Sequence, residues 1–147
     1  MNAPLGRDWI VAHLPHQGAM SLLDEIVKWD AATVHALARA HRSPDHPLRR
    51  GGELPITAGI EYGAQAAAVH GALSGNIAQG NGLLVSARAV AFHARRLDDI
   101  DSILEIFAAQ LAGGESGMLY RFEVRAAQRC LVEGRISVAF PRWAAAR

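Results

Sequence analysis

The sequence predicts an α+β fold in which one face of an antiparallel sheet covers a single long helix. Three observations lead there. Residues 55–73 carry Ile56, Ile60, Ala64, Ala67 and Ala68 at helical spacing, and the opposite side is also apolar or small, with Ala58, Gly59, Gly63, Ala66 and Val69. A helix apolar nearly all round has to be buried. Two apolar-rich runs of strand length precede it and a series of strand-like runs follows, an order of elements that places a sheet over one helix.

Each element follows from local chemistry. Residues 8–13 form a short helix that stops near Leu14, because Pro15 pushes the residue before it towards an extended conformation. Residues 21–29 and 33–41 read as a hairpin across Asp30-Ala31-Ala32. Residues 42–54 hold Pro44, Pro47 and Gly51-Gly52 and form a loop. Pro55 suits the first turn of the central helix, where no backbone donor is lost, and Gly75 suits its C-terminal stop. At about 1.5 Å per residue that helix spans roughly 27 Å. Strands are expected at 83–94, 102–112, 117–126 and 128–140. In the third of these Leu119, Arg121, Glu123 and Arg125 alternate with Tyr120, Phe122 and Val124. A Gly-rich turn at 113–117 joins two strands. Pro141 ends the last one, and 143–147 is a tail.

Composition narrows the function. The 147 residues are 50% hydrophobic and 20% charged, enough for one packed core in one domain, residues 1–147. The net charge is +1 with scattered basic residues, so the stripe that binds nucleic acid is missing. Arg49-Arg50 and Arg95-Arg96 read as solvated surface arginines. Cys130, the single cysteine, reads as a packed, inert strand residue. The N-terminus lacks the charged start and apolar run of a signal peptide, and no stretch approaches a membrane span. The expectation is a cytoplasmic protein.

Two residues stand out chemically. Glu61 is the only charged side chain between Ile56 and Leu73. A carboxylate in a helix built for burial must be paired, protonated or at a cavity. His16 follows Pro15 at a turn beside the first strand, the kind of loop that carries function on a rigid scaffold. Of the other histidines, His35, His41 and His93 read as surface or satisfied residues, His70 as structural on the buried helix, and His46 as part of a Pro-rich loop. No histidine pair has the spacing of a zinc protease, and one cysteine excludes a thiolate cluster. No metal and no cofactor is implied.

Leu14-Pro15-His16, with Asp24 eight positions after the histidine, resembles the opening of the 3-hydroxyacyl-acyl-carrier-protein dehydratases. Pro55, with Glu61 six positions on and Gln65 four beyond that, resembles the start of their central helix. The run 14–25, with 58–62 and 68–72, is most similar to the dehydratase subunits of bacterial aryl-polyene and related pigment clusters. That resemblance implies a hotdog fold, an acyl-carrier-protein partner, and a homodimer or a heterodimer with a second hotdog subunit. It also implies dehydration of 3-hydroxyacyl thioesters to trans-2-enoyl thioesters in aryl-polyene or related fatty-acid or polyketide-like biosynthesis. His16 and Glu61 are then the catalytic pair, His16 of one subunit working with Glu61 of the other. Ile56, Gly59 and Gln65 are the implied substrate-binding residues, with the Ile56 amide a candidate to polarise the thioester carbonyl. The family's Gly after the helix-start Pro is Ile56 here, and its Gly-His-Phe-Pro loop is absent.

Three other readings compete. One is a hotdog acyl thioesterase with Glu61 as base or nucleophile. Another is an enoyl-thioester hydratase, whose signature holds an Asp and a His five apart; Asp45-His46-Pro47-Leu48 resembles it, but Arg50 occupies the fifth position after Asp45. The third is a non-catalytic partner in a heterodimeric dehydratase. For assembly, the apolar strand at 83–94 is expected to pair edge to edge with a second subunit, since a free edge of that kind invites aggregation.

Overall fold

The computed structural model of the chain describes residues 4–14, 18–75, 83–114 and 117–139. A two-residue strand β1 (Leu5–Gly6) leads into helix α1 (Arg7–His13). A 3-10 turn at Gly18–Met20 precedes strands β2 (Glu25–Trp29) and β3 (Thr33–Ala38). The central helix α2 (Ala58–Ser74) comes next. Strands β4 (Leu83–Phe92), β5 (Leu104–Gly114), β6 (Gly117–Ala126) and β7 (Arg129–Ala139) complete the order. They form one antiparallel sheet in the order β1-β2-β3-β5-β6-β7-β4, so β1 and β4 are its edges. No described helix is long and apolar enough to cross a membrane.

Alternation along the strands decides which side faces α2. Val34, Ala36 and Ala38 of β3, Ile106 and Ala108 of β5, Tyr120, Phe122 and Val124 of β6, and Val132 and Ile136 of β7 are all buried. They pack with Tyr62, Ala66, Ala67 and Val69 of the helix. The contact is close because the helix is small-faced. A Cβ at Gly59 would run into the Val132 side chain, and one at Gly63 into the Phe122 ring. The other side of α2 keeps Ile60, Ala64 and Ala68 only partly buried. As expected, Gly75 closes the helix in the left-handed conformation, at φ 75°.

Four expectations need correction. The helix starts at Ala58, three residues after Pro55, because Pro55 bridges to Arg96 and the Ile56 amide donates to the Arg95 carbonyl at 3.1 Å. The first hairpin strand begins at Glu25, since residues 21–24 belong to a loop clamped by side chains, and His41 lies beyond β3 in a turn. The arginine pairs are not simply solvated. Arg96 pairs with Glu53 at 2.8 Å and with the Asp98 carboxylate, which Arg49 also approaches at 3.8 Å. The Arg96 hydrogen bond holds the Asp98 carboxyl far below the usual range. Asp98 in turn accepts from the Leu54 amide at 2.8 Å, fastening the 42–54 loop to the segment after β4. The expectations for residues 115–116, 140–147 and His16 lie outside the described residues.

Candidate active site

Glu61 sits in the first turn of α2 and is partly buried. It lines a cavity of about 330 Å³ with Leu48, Arg50, Pro55, Thr57, Ala58 and Ile60. Apart from Arg50, Thr57 and Glu61 itself the wall is apolar.

Gln65, one helical turn further, has no exposed surface. Its Nε2 donates to the Met20 carbonyl at 2.7 Å and to Glu61 Oε1 at 3.4 Å. Its Oε1 accepts from the Leu22 amide at 2.9 Å. These partners settle the orientation of the side-chain amide, because a backbone N–H requires the oxygen and a carbonyl requires the nitrogen. Gln65 therefore ties the loop after the 3-10 turn to the helix that carries Glu61.

Arg7 grips the same loop from outside. Its guanidinium donates to the carbonyls of Ser21 at 2.7 Å and Gly18 at 3.0 Å, and reaches Asp24 at 3.5 Å. Asp24 also accepts the Arg39 amide at 2.7 Å. Before the undescribed residues 15–17, Leu14 is buried and its amide is bonded to Ile10. Both chain segments flanking residue 16 are thus anchored, and the later one is anchored to α2 beside Glu61.

The predicted substrate-binding residues divide. Gly59 is packed against Val132 and Val124, so the absence of a side chain serves helix–sheet packing. Gln65 is buried and engaged by the loop and by Glu61. The Ile56 amide is already bonded to Arg95, which removes it as the donor for a carbonyl. The Ile56 side chain is buried as well. The Thr57 amide, next along, has no partner among the described residues and lies in the residue that lines the Glu61 cavity.

Two histidines on or against the helix have both ring nitrogens engaged. His70 Nε2 donates to the Asp30 carbonyl at 3.0 Å and Nδ1 accepts from the Tyr120 hydroxyl at 2.7 Å, so both ring nitrogens are satisfied. Nδ1 of His46 accepts from the Leu48 amide at 3.1 Å, which leaves Nε2–H to donate to the Tyr62 hydroxyl at 2.9 Å. Burial, with the charges of Arg49 and His41, holds the His46 imidazole below its ordinary value. Burial and the charge of Asp24 push the Tyr62 phenol well above its own. Neither Arg7 nor the His46–Tyr62 contact is signalled by local sequence, since each joins segments far apart in the chain.

An antiparallel sheet around one small-faced helix, with a carboxylate in that helix's first turn, defines a hotdog-fold protein. Solved structures agree. The dehydratase heterocomplex ApeI:P from Xenorhabdus doucetiae is similar at a TM-score of 0.74, with 26% identity over 90% of each chain. The dehydratase domain of a mycocerosic acid synthase-like polyketide synthase matches at 0.69 with 19% identity, over 92% of this chain and 48% of that one. The PaaI protein of E. coli matches at 0.60 with 13% identity, over 90% and 88%. The latter two show the fold alone. No curated protein matches the chain. The ApeP-like family, described as ApeP dehydratase, matches residues 9–147, and the chain belongs to that family.

Proposed function

We propose that the chain dehydrates 3-hydroxyacyl thioesters carried on acyl-carrier protein, in aryl-polyene or related biosynthesis, with His16 as base and Glu61 as acid. The observation that supports this most is the position of Glu61 at a mostly apolar cavity, one helical turn from Gln65, which holds the loop that follows residue 16. In the reaction His16 removes the α-proton, and the electrons form the α,β double bond as the β-carbon–oxygen bond breaks. Glu61 protonates the departing hydroxyl, which leaves as water. A neutral imidazole suits the first task and a protonated carboxyl the second. The Thr57 amide takes over from Ile56 as the donor for charge on the thioester oxygen.

The chain works as part of a dimer. Ile60, Ala64 and Ala68 present a small apolar stripe beside Glu61 that one subunit leaves only partly covered, and β4 is a sheet edge. A similar solved structure is the dehydratase heterocomplex ApeI:P, which also favours a second reading: this chain as the partner subunit of a second hotdog protein. The experiment is dehydration of a 3-hydroxyacyl-carrier thioester, followed by absorbance of the enoyl product. The purified chain is assayed alone and together with a second hotdog dehydratase subunit. Turnover by the chain alone supports the catalytic reading. Turnover that appears only in the mixture, and survives Glu61→Gln here, assigns catalysis to the partner. Release of free acid in place of the enoyl product indicates a thioesterase.

A further inference from the structure

On the outer face of the sheet, away from α2, three side chains of metal-ligating type converge: His93, Cys130 and Glu133. We propose that they form a binding site for zinc or a similar borderline divalent metal, with three protein ligands and one open position.

The geometry begins with a fold irregularity. On an ideal strand, residues three apart point to opposite faces. In β7 the pairing with β6 shifts between Val124 and Arg125, so that Val124 faces Val132 while Arg125 faces Cys130. Leu131 is the extra residue of this bulge and is buried. An extra residue re-aims the side chains on either side of it, and Cys130 and Glu133 come to share one face. His93 follows the end of the edge strand β4. Its amide donates to the Leu131 carbonyl at 2.8 Å, and its carbonyl accepts from Arg129 at 2.6 Å. The backbone carrying the imidazole is thus held on both sides.

Donor atoms of the three residues all lie within 4.8 Å of one another. His93 Nε2 is 2.9 Å from Glu133 Oε2, and Cys130 Sγ is 3.7 Å from the same oxygen. Tetrahedral coordination with metal–ligand bonds of about 2.0–2.3 Å sets donor atoms about 3.3–3.6 Å apart. Coordination requires the His93–Glu133 hydrogen bond to open by a few tenths of an ångström and the donors of His93 and Cys130, which lie within 4.8 Å of each other, to close to tetrahedral spacing by side-chain rotation. The side chains of His93 and Glu133 are 44% and 40% exposed, so a metal has a path in and water can hold the fourth position. Thiolate, imidazole and carboxylate together suit zinc better than magnesium or calcium, which prefer oxygen alone. One thiolate and one carboxylate also balance a divalent charge. Nearby Glu123 is taken up by Arg121 at 3.4 Å and Arg125 at 3.1 Å.

Binding exchanges protons. The metal–sulfur bond forms as the Cys130 thiol loses its proton to solvent, and His93 turns its Nε2 lone pair to the metal with its proton on Nδ1. Burial, with the charges of Glu133 and Glu123, raises the Cys130 thiol. Because the metal takes the thiolate, binding releases this proton and affinity rises with pH.

Because Cys130 is the only cysteine, its alkylation reports on this site alone. The experiment uses the tag-free full chain, with zinc chloride as probe and the rate of iodoacetamide modification as readout. Zinc at about ten times its Kd should slow alkylation about tenfold, because only the metal-free thiol reacts. His93→Asn and Glu133→Gln, the first at an exposed and the second at a partly exposed position, should remove that protection while leaving Cys130 in place. Cobalt should give a near-ultraviolet thiolate charge-transfer band that Cys130→Ser abolishes. Zinc that leaves alkylation unchanged overturns the proposal. So does protection that persists undiminished in both His93→Asn and Glu133→Gln, because the thiol is then binding metal without the other two ligands.

Discussion

Gln65 donates to Glu61 from one helical turn away, at 3.4 Å, while its other amide hydrogen and its oxygen bond the backbone of residues 20 and 22. One buried amide thereby couples the orientation of the candidate acid to the position of the loop that follows residue 16. The coupling spans 43 residues of sequence between Leu22 and Gln65, so this side chain joins the loop after the 3-10 turn to the first turns of the central helix.

Replacing Gln65 by Leu keeps approximate size and removes every one of these bonds. The Leu22 amide and the Met20 carbonyl then lose their partner. An unsatisfied buried backbone group costs about 1–3 kcal/mol. Gln65→Leu should lower unfolding free energy by about 2–4 kcal/mol in urea denaturation. An unchanged midpoint would show that the loop finds other partners.

Gly63 sets two effects against each other. Alanine in a helix interior is favoured over glycine by about 1 kcal/mol. A Cβ at this position, however, meets the Phe122 ring, and overpacking a core typically costs about 1–3 kcal/mol. Gly63→Ala should therefore destabilise the protein by up to about 2 kcal/mol, read from urea denaturation. Stabilisation would mean that helix and sheet separate readily at this point.

The periodicity of α2 and the alternation of β6 made the fold legible, because both are local patterns with a buried face. The start of the helix was not legible. Pro55 and Ile56 pair with residues 95 and 96, some forty positions away, and local rules give Pro55 a first-turn position. Glu61 was visible as the lone charge in an apolar helix. The tasks of Gln65 and Arg7 were not, since their partners are mostly backbone atoms of a distant loop and carry no residue-type signal. The convergence of Cys130 with Glu133 was hidden by a bulge that reverses strict alternation.

Two buried histidines predict how stability depends on pH. Burial lowers His41 and His46 below the ordinary 6.5. Each binds a proton less readily in the folded chain than in the unfolded one. Between the folded value and 6.5 the unfolded state holds more protons, so stability falls as pH drops through that window. Above 6.5 both states are neutral and this contribution is flat. Unfolding free energy measured from pH 8 to pH 5 should decline in the lower part of the range. His46→Gln, which cannot titrate, should flatten part of that decline, and a curve as steep as wild type would remove His46 as a source.

The catalytic proposal rests on His16 and Glu61 acting as one unit, with His70 as internal control. His16→Ala removes the base; Glu61→Gln removes the acid and keeps its size. General acid–base groups typically contribute about a hundred- to ten-thousand-fold each. Because residues of one catalytic unit are not additive, the double variant should be little worse than the poorer single one. His70 holds the Asp30 carbonyl and the Tyr120 hydroxyl inside the core, so His70→Ala should cost stability more than turnover. The measurement is enoyl formation from a 3-hydroxyacyl-carrier thioester, with each variant's unfolding midpoint taken in parallel. If His16→Ala keeps wild-type turnover while a folded His70→Ala has none, the base is the helix histidine and His16 has no part in the chemistry.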